Sequence, residues 1–407
     1  MKTAQSPPSP DNPGGQRSDV IDRKKRTFQF DDVPDRTGTD SLKWARYAGR
    51  DVLPLWVADM DFPAPPAVVE ALRKRVDHGI FGYAVALPET YEAVCGWFEK
   101  RYGWPIQKEW IVWLPGLVCG LHIVCRAFAE AGEQAAVLTP VYPPFLSAPI
   151  LSGRAVLPCP LQKTGGSYEI DFERLEQSVN SRTRILLFCH PHNPVGRVWT
   201  HDELIRLAEL CLRKNLLLCS DEIHADLVLE PGCRHIPAAS LSSEIARRSI
   251  TLTSPSKTFN LPGLNCAFAV IPNASLRNRF LHTLRGIVPH VGPLGYAACT
   301  AAYREGADWL EALLDYLQGN RDLLCQTINA LPGLSVQPPQ ATYLAWIDCR
   351  GLGLSDPAGF FEEAGVGLSD GAEFEGSGYV RLNFACPKSR LQEALRRMHK
   401  ALSNHTF

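Results

Sequence analysis

At 407 residues, with 45% hydrophobic and 21% charged side chains, the chain exceeds what one hydrophobic core supports and has the balance of an ordinary soluble globular protein, so two lobes are expected. A net charge of −1 gives neither the basic field that attracts nucleic acid nor a polybasic membrane anchor. No apolar run approaches the roughly 18–20 residues that span a bilayer, and 13 cysteines without a Cys-x-x-Cys pair read as buried thiols of a reducing cytoplasm, not as zinc ribbons.

Residues 1–27 are rich in Pro, Ser and Asp, lack an apolar signal core, and read as a disordered tail. Pro65-Pro66 opens a helix that runs through Val76 and closes at Gly79. Leu114-Pro-Gly116 turns into a second helix, expected over Leu117 to Glu130 from apolar residues at 117, 118, 121, 124, 125 and 128. The start of that helix, at Gly116, Leu117 and Val118, offers free backbone N–H groups and a dipole that favour a phosphate. A strand over Ala135 to Thr139 follows. The apolar run after Arg184 ends in a polar turn where prolines constrain Asn193. Thr200-His-Asp-Glu203 is a capping box that starts a helix to Lys214.

The next run, Leu216-Leu-Leu-Cys-Ser-Asp221, ends in a carboxylate, with His224 just beyond. Residues 249–253 repeat the pattern and deliver Lys257 among Ser254, Ser256 and Thr258. A further strand is expected over 266–271. Alternating helices and strands of this kind predict a mostly parallel sheet flanked by helices. Beyond it, a helical region from about Asp308 to Leu331, half-exposed antiparallel strands at 342–347 and 379–384, and a closing helix over 388–402 predict a smaller α+β lobe. The expected division is a segment 28–75 that contributes to the small domain, a large domain 76–307, and a C-terminal small domain 308–407.

Burial lowers a lysine's pKa and frees the lone pair that Schiff-base chemistry needs, and hydroxyls beside Lys257 suit a phosphate monoester. Asp221, where a parallel strand opens into a crevice, can pair with a protonated pyridine nitrogen. A lone Ser-x-x-Lys is more often a solvated loop; the order strand–Asn193, strand–Asp221, strand–Lys257 reverses that. His190, His192 and His224 lie near Asp221 and Glu222 but lack the i, i+4 helical spacing of a zinc-binding pair, so no metal is expected. Asp59 and Asp61 occupy alternate positions of an extended segment and should point the same way.

Trp56-Val-Ala-Asp-Met-Asp-Phe62, Phe81-Gly-Tyr83, Pro140-Val-Tyr-Pro-Pro-Phe145, His192-Asn-Pro-Val-Gly196, Asp221-Glu-Ile-His-Ala-Asp226, Ser254-Pro-Ser-Lys-Thr-Phe-Asn260 and Tyr379-Val-Arg-Leu-Asn-Phe384 follow one another in order over roughly residues 28 to 400. In these the chain resembles fold-type-I pyridoxal-phosphate (PLP) enzymes of the class I/II aminotransferase superfamily, and within them the cystathionine β-lyase-like C–S lyases of the MalY/PatB type. The resemblance implies an aspartate aminotransferase-like α/β fold: a large domain with a mostly parallel seven-stranded sheet, plus a smaller α+β domain.

It also implies roles. Lys257 binds PLP and moves protons; Asp221 pairs with the ring nitrogen; Tyr142 stacks on the ring. Asn193 and His224 contact its phenolic oxygen. Ser254 and the Gly116–Val118 turn hold the phosphate, and Arg381, with Asn193, holds the substrate carboxylate. Tyr83 reaches across a homodimer to the partner's cofactor and substrate; Asp59 and Asp61 belong to the active-site rim or the dimer interface, Asp59 in the substrate site. His224 and Asn265 stand where aspartate-type transaminases carry a tyrosine and an arginine, which favours β-elimination of L-cystathionine or another cysteine S-conjugate to a thiol, pyruvate and ammonia. An aminotransferase, another PLP-dependent tailoring enzyme, and a regulatory protein on the same fold remain as alternatives.

Overall fold

The central sheet has seven strands. In space the strands lie as Ile111–Leu114, Ala267–Val270, Ser249–Thr253, Leu217–Asp221, Thr183–Cys189, Gln134–Thr139 and Ala155–Pro160. Five of them pair in parallel, from Ser249–Thr253 to Ala155–Pro160. Ala267–Val270 runs antiparallel to both its neighbours. The computed structural model describes Met1 and residues 28–404, so the expected tail over 1–27 lies, Met1 apart, outside the described residues.

Leu217–Asp221 and Ser249–Thr253 are buried at every position, as strands covered on both faces must be. Leu121, Val124 and Phe280 pack on one face of the sheet, Trp199, Leu204, Leu207 and Cys211 on the other. Helix His201–Arg213 begins with the expected capping box between Thr200 and Glu203. The helix from Leu117 ends at Phe128, the last residue of its apolar stripe and two short of the expected Glu130. Arg154 takes the Ala129 carbonyl, through Nε at 2.9 Å and Nη2 at 2.7 Å, and the chain turns extended there.

The smaller sheet is antiparallel, in the order Ser335–Val336, Leu344–Asp348, Tyr379–Asn383, Ser369–Asp370. Its two longer strands were expected to be half-exposed. Instead Tyr379–Asn383 is buried throughout and Leu344–Asp348 is buried as far as Ile347. One face carries Ala345, Ile347, Val380 and Leu382 against Leu324, Leu391, Leu395 and Met398 of the long and closing helices. The other, with Trp346, Tyr379 and Arg381, faces the larger sheet's loops rather than water, where Tyr142, Tyr168 and Val195 pack. Alternation along these strands therefore separates an apolar core from a polar site.

Residues 56–62 bridge the two sheets, clamped carbonyl by carbonyl. Trp56 O accepts from Arg381 at 3.0 Å. Asn383 Nδ2 donates to Val57 O at 2.7 Å and to Asp59 O at 2.9 Å. Asn260 Nδ2 donates to Met60 O at 3.1 Å and to Phe62 O at 2.8 Å. Asp59 and Asp61 both reach Arg36, as their alternation suggests. Asp61, however, is no rim residue: it is buried between Lys43 at 3.0 Å and Arg390 at 2.6 Å. These cations hold its carboxyl below the usual range against the opposing effect of burial.

Candidate active site

Parallel register brings Cys189 beside Asp221 and Asp221 beside Leu252. Three strands thus end level, and the residues just past each end share the crevice outside the carboxyl edge of the sheet. A cavity of about 220 Å³ opens there, lined by Asn193, Asp221, His224 and Lys257 from those strand exits. Gly116, Leu117 and Val118 line it from the N-terminus of helix Leu117–Phe128, and Tyr142, Ser254 and Arg381 complete the expected set.

Lys257 sits in the one-turn helix Pro255–Thr258, and its Nζ donates to Ala58 O at 2.6 Å. Burial pulls its pKa down to about 8; Asp59 opposes that shift, Arg381 adds to it and Asp221 opposes it. Asp221 accepts a backbone N–H from Ile223 at 3.2 Å, yet burial raises its carboxyl to about 7. His224 is driven the other way, to about 3, by burial and then by the Lys257 and Arg381 charges. Its ring is neutral at physiological pH, and its buried Nδ1 has no protein partner.

Arg381 projects from strand Tyr379–Asn383 with its guanidinium 4.6 Å from the Phe374 ring centroid. It donates to Asn193 Oδ1 at 3.1 Å and to Trp56 O at 3.0 Å, while its buried Nε is unsatisfied. Ser254 caps its turn by accepting from Ser256 N at 3.0 Å and donates to Cys266 O at 2.8 Å. Gly116 is extended, and a Cβ built there would meet no atom within 4 Å. The opening turn of Leu117–Phe128 leaves N–H groups without helical partners.

Two expected site residues are not among those lining the cavity. Tyr83 is fully exposed, in a stretch where Val76, Ile80, Phe81, Val85 and Leu87 are exposed as well. Asp59 lies on the Lys257 side but is engaged by Arg36, at 3.2 and 2.9 Å. Other contributors escaped sequence reasoning: the Ala58 carbonyl, Tyr343, whose hydroxyl donates to that carbonyl at 3.2 Å, and Phe374 beneath Arg381. A backbone carbonyl leaves no residue-type signature, and Phe374 sat in a Gly-rich stretch that reads as a loop. Among the described residues no group of three or more His, Cys, Asp or Glu could hold a metal.

An orphaned imidazole nitrogen, an orphaned guanidinium nitrogen, a carboxylate at a strand exit and a helix N-terminus all face one cavity. That donor set fits a flat, phosphorylated heteroaromatic ring with an anionic amino-acid substrate. The sequence profile described as Aminotransferase class I and II matches residues 50–398. Cystathionine beta-lyase PatB of Bacillus subtilis is 40% identical over 388 residues, covering 92% of this chain and 100% of the relative. The crystal structure of OvoB is 50% identical, covers 93% of this chain and 100% of its own, and superimposes with a TM-score of 0.91. The PLP-bound C–S lyase from Staphylococcus hominis is 33% identical, with 93% and 100% covered and a TM-score of 0.88.

Proposed function

The chain belongs to the class I and II aminotransferase family, and we propose that it is a PLP-dependent C–S β-lyase that splits L-cystathionine or another L-cysteine S-conjugate, with uptake of one water, into a thiol, pyruvate and ammonia. The observation that carries this reading is the convergence of Lys257, Asp221 and the Arg381–Asn193 pair on one cavity. When bound there, PLP supplies the electron sink that acidifies the substrate Cα–H and allows a thiolate to leave Cβ.

Lys257 would hold the cofactor through its amine. As a free amine it would take the α-proton; its pKa of about 8 is close to the value a general base needs near neutrality. The same amine then delivers a proton to the departing sulfur. Asp221 would pair with the ring nitrogen and favour its protonated form, since a cation beside it would stabilise the carboxylate that burial alone disfavours. His224 and Asn193 would hold the phenolic oxygen, and Tyr142 would cover the ring face. The Gly116–Val118 turn and Ser254 receive the phosphate. Arg381 grips the α-carboxylate with its fork and so orients the Cα–H bond. Among the described cavity-lining residues Arg381 is the one arginine, which supports a single carboxylate clamp and a sulfur substituent accepted by shape. Asp59 borders that substituent's path.

A homodimer with shared sites accounts for Tyr83. Its exposed apolar surroundings are of the kind that marks an interface, and Tyr83 reaches the partner's cofactor phosphate. The chain divides into a segment 28–75 and a C-terminal unit 308–407 around a cofactor-binding unit 76–307. Pairing of Leu53–Pro54 with Val366–Gly367 supports that grouping. A cytoplasmic location suits thirteen free thiols, and no described helix is long and apolar enough to cross a membrane.

The test is product analysis. PLP-loaded enzyme given L-cystathionine, and a graded series of cysteine S-conjugates, should release thiol, pyruvate and ammonia without an added 2-oxo acid. Amino transfer that requires a 2-oxo acid acceptor, without thiol release, would replace the lyase reading with an aminotransferase.

A further inference from the structure

Asp226 lies five residues beyond Asp221, at the end of the turn that also carries His224, and is buried. Both carboxylate oxygens are committed. Oδ1 accepts from Trp97 Nε1 at 3.1 Å and from Tyr102 OH at 2.6 Å, with Arg101 Nε at 3.6 Å. Oδ2 accepts from Thr258 Oγ1 at 2.9 Å. Thr258, almost fully buried, is the residue after Lys257 and closes the one-turn helix Pro255–Thr258.

So short a helix has little hydrogen bonding of its own: Phe259 N bonds Pro255 O at 3.0 Å and Leu261 N bonds Ser256 O at 2.9 Å. Its direction must be fixed from outside. Ser254 Oγ ties its start to Cys266 O, Asn260 ties the chain beyond it to residues 60 and 62, and Asp226 ties its last residue to the segment bearing Asp221 and His224.

Resting on the lyase reading for its catalytic consequence, we propose that Asp226 is a positioning residue that, through Thr258, fixes the direction in which Lys257 presents its amine. It touches neither substrate nor cofactor. The carboxylate is held rigidly on one side by two aromatic donors and an arginine, and on the other it accepts from a hydroxyl that moves only with the lysine-bearing turn. A displacement of about 1 Å at a reacting group can cost on the order of a hundredfold in rate.

The test severs the link at Thr258 and leaves Asp226 with its other partners. Thr258→Val removes the hydroxyl at nearly constant volume, and Thr258→Ala does so without added bulk should valine fail to fold. The expected result is a fall in kcat of about 10- to 100-fold, the worth of one hydrogen bond to a charged group, with KM changed by less than about threefold. PLP uptake by the apoprotein, followed by absorbance, should slow in parallel. Thr258→Ser, which keeps the donor, should recover most of both. Uptake and kcat that match the wild type would overturn the proposal. So would a loss that Thr258→Ser does not recover, which would assign Thr258 to packing alone. Because uptake is read without any substrate, it decides the positioning role even if the natural reaction proves not to be β-elimination.

Discussion

Arg381, on a strand of the smaller sheet, and Asn193, in the turn past a strand of the larger one, lie 188 residues apart in the chain, yet Arg381 Nη1 donates to Asn193 Oδ1 at 3.1 Å. The contact joins the carboxylate-gripping strand of one sheet to the strand-exit turn of the other. The guanidinium is therefore oriented before any substrate arrives, and the unsatisfied Nε remains to be completed by an anion.

Arg381→Lys keeps a charge but loses the fork and its anchors on Asn193 and Trp56. Steady-state kinetics should show kcat/KM lowered by about 10- to 100-fold, the worth of one charge-assisted hydrogen bond. Most of the change should fall on KM, since the lysine base is untouched.

Asp221→Asn removes the only carboxylate among the cavity-lining residues described. Deleting one partner of a buried charge pair costs about 3–5 kcal/mol, which corresponds to roughly 10²- to nearly 10⁴-fold in rate. Single-turnover measurement with saturating substrate should find that loss in kcat, with faster escape of the cofactor on dilution.

The lysine's lowered pKa gives a signed pH dependence. Below about 8 Lys257 is protonated and unreactive toward an aldehyde; above it the amine is free, whereas an ordinary lysine would remain protonated to beyond pH 10. The rate of PLP uptake by the apoprotein should therefore rise with pH through a midpoint near 8. Stopped-flow absorbance across pH 6–10, roughly the window between the two pKa values and their tails, would show it.

If sites are shared, Tyr83→Ala and Lys257→Ala chains should complement each other. Each homodimer is impaired, but a mixed dimer assembled from the two places an intact Lys257 opposite an intact Tyr83 at one of its two sites. Mixing after partial denaturation and refolding should restore activity toward about a quarter of the wild-type level, because random pairing makes half the dimers mixed and each has one good site. No recovery would mean that Tyr83 serves its own chain or none.

Much of the site was legible because the chemistry falls at strand exits. Asp221 and Lys257 each end an unbroken apolar run, and parallel strands that end level place such residues in one crevice. Helix His201–Arg213 was legible from its capping box. The burial of strands Leu344–Asp348 and Tyr379–Asn383 was not: alternation distinguishes two faces but does not say whether the polar face meets water or a second sheet's loops. Nor could sequence show that Asp59 and Asp61 part company, one engaged by Arg36 near the site and the other sunk between Lys43 and Arg390. The cations that separate them come from distant positions. The Ala58 carbonyl, which receives Lys257 at 2.6 Å, is backbone and invisible to residue type.

The most direct test of the account is where the cofactor becomes attached. PLP-saturated protein should be reduced with borohydride, digested and analysed by peptide mass mapping, with Lys257→Ala treated in parallel. The account predicts one pyridoxyl adduct, on Lys257, and none in the variant; an adduct on a different lysine, or a wild-type protein that takes up no PLP, would contradict it.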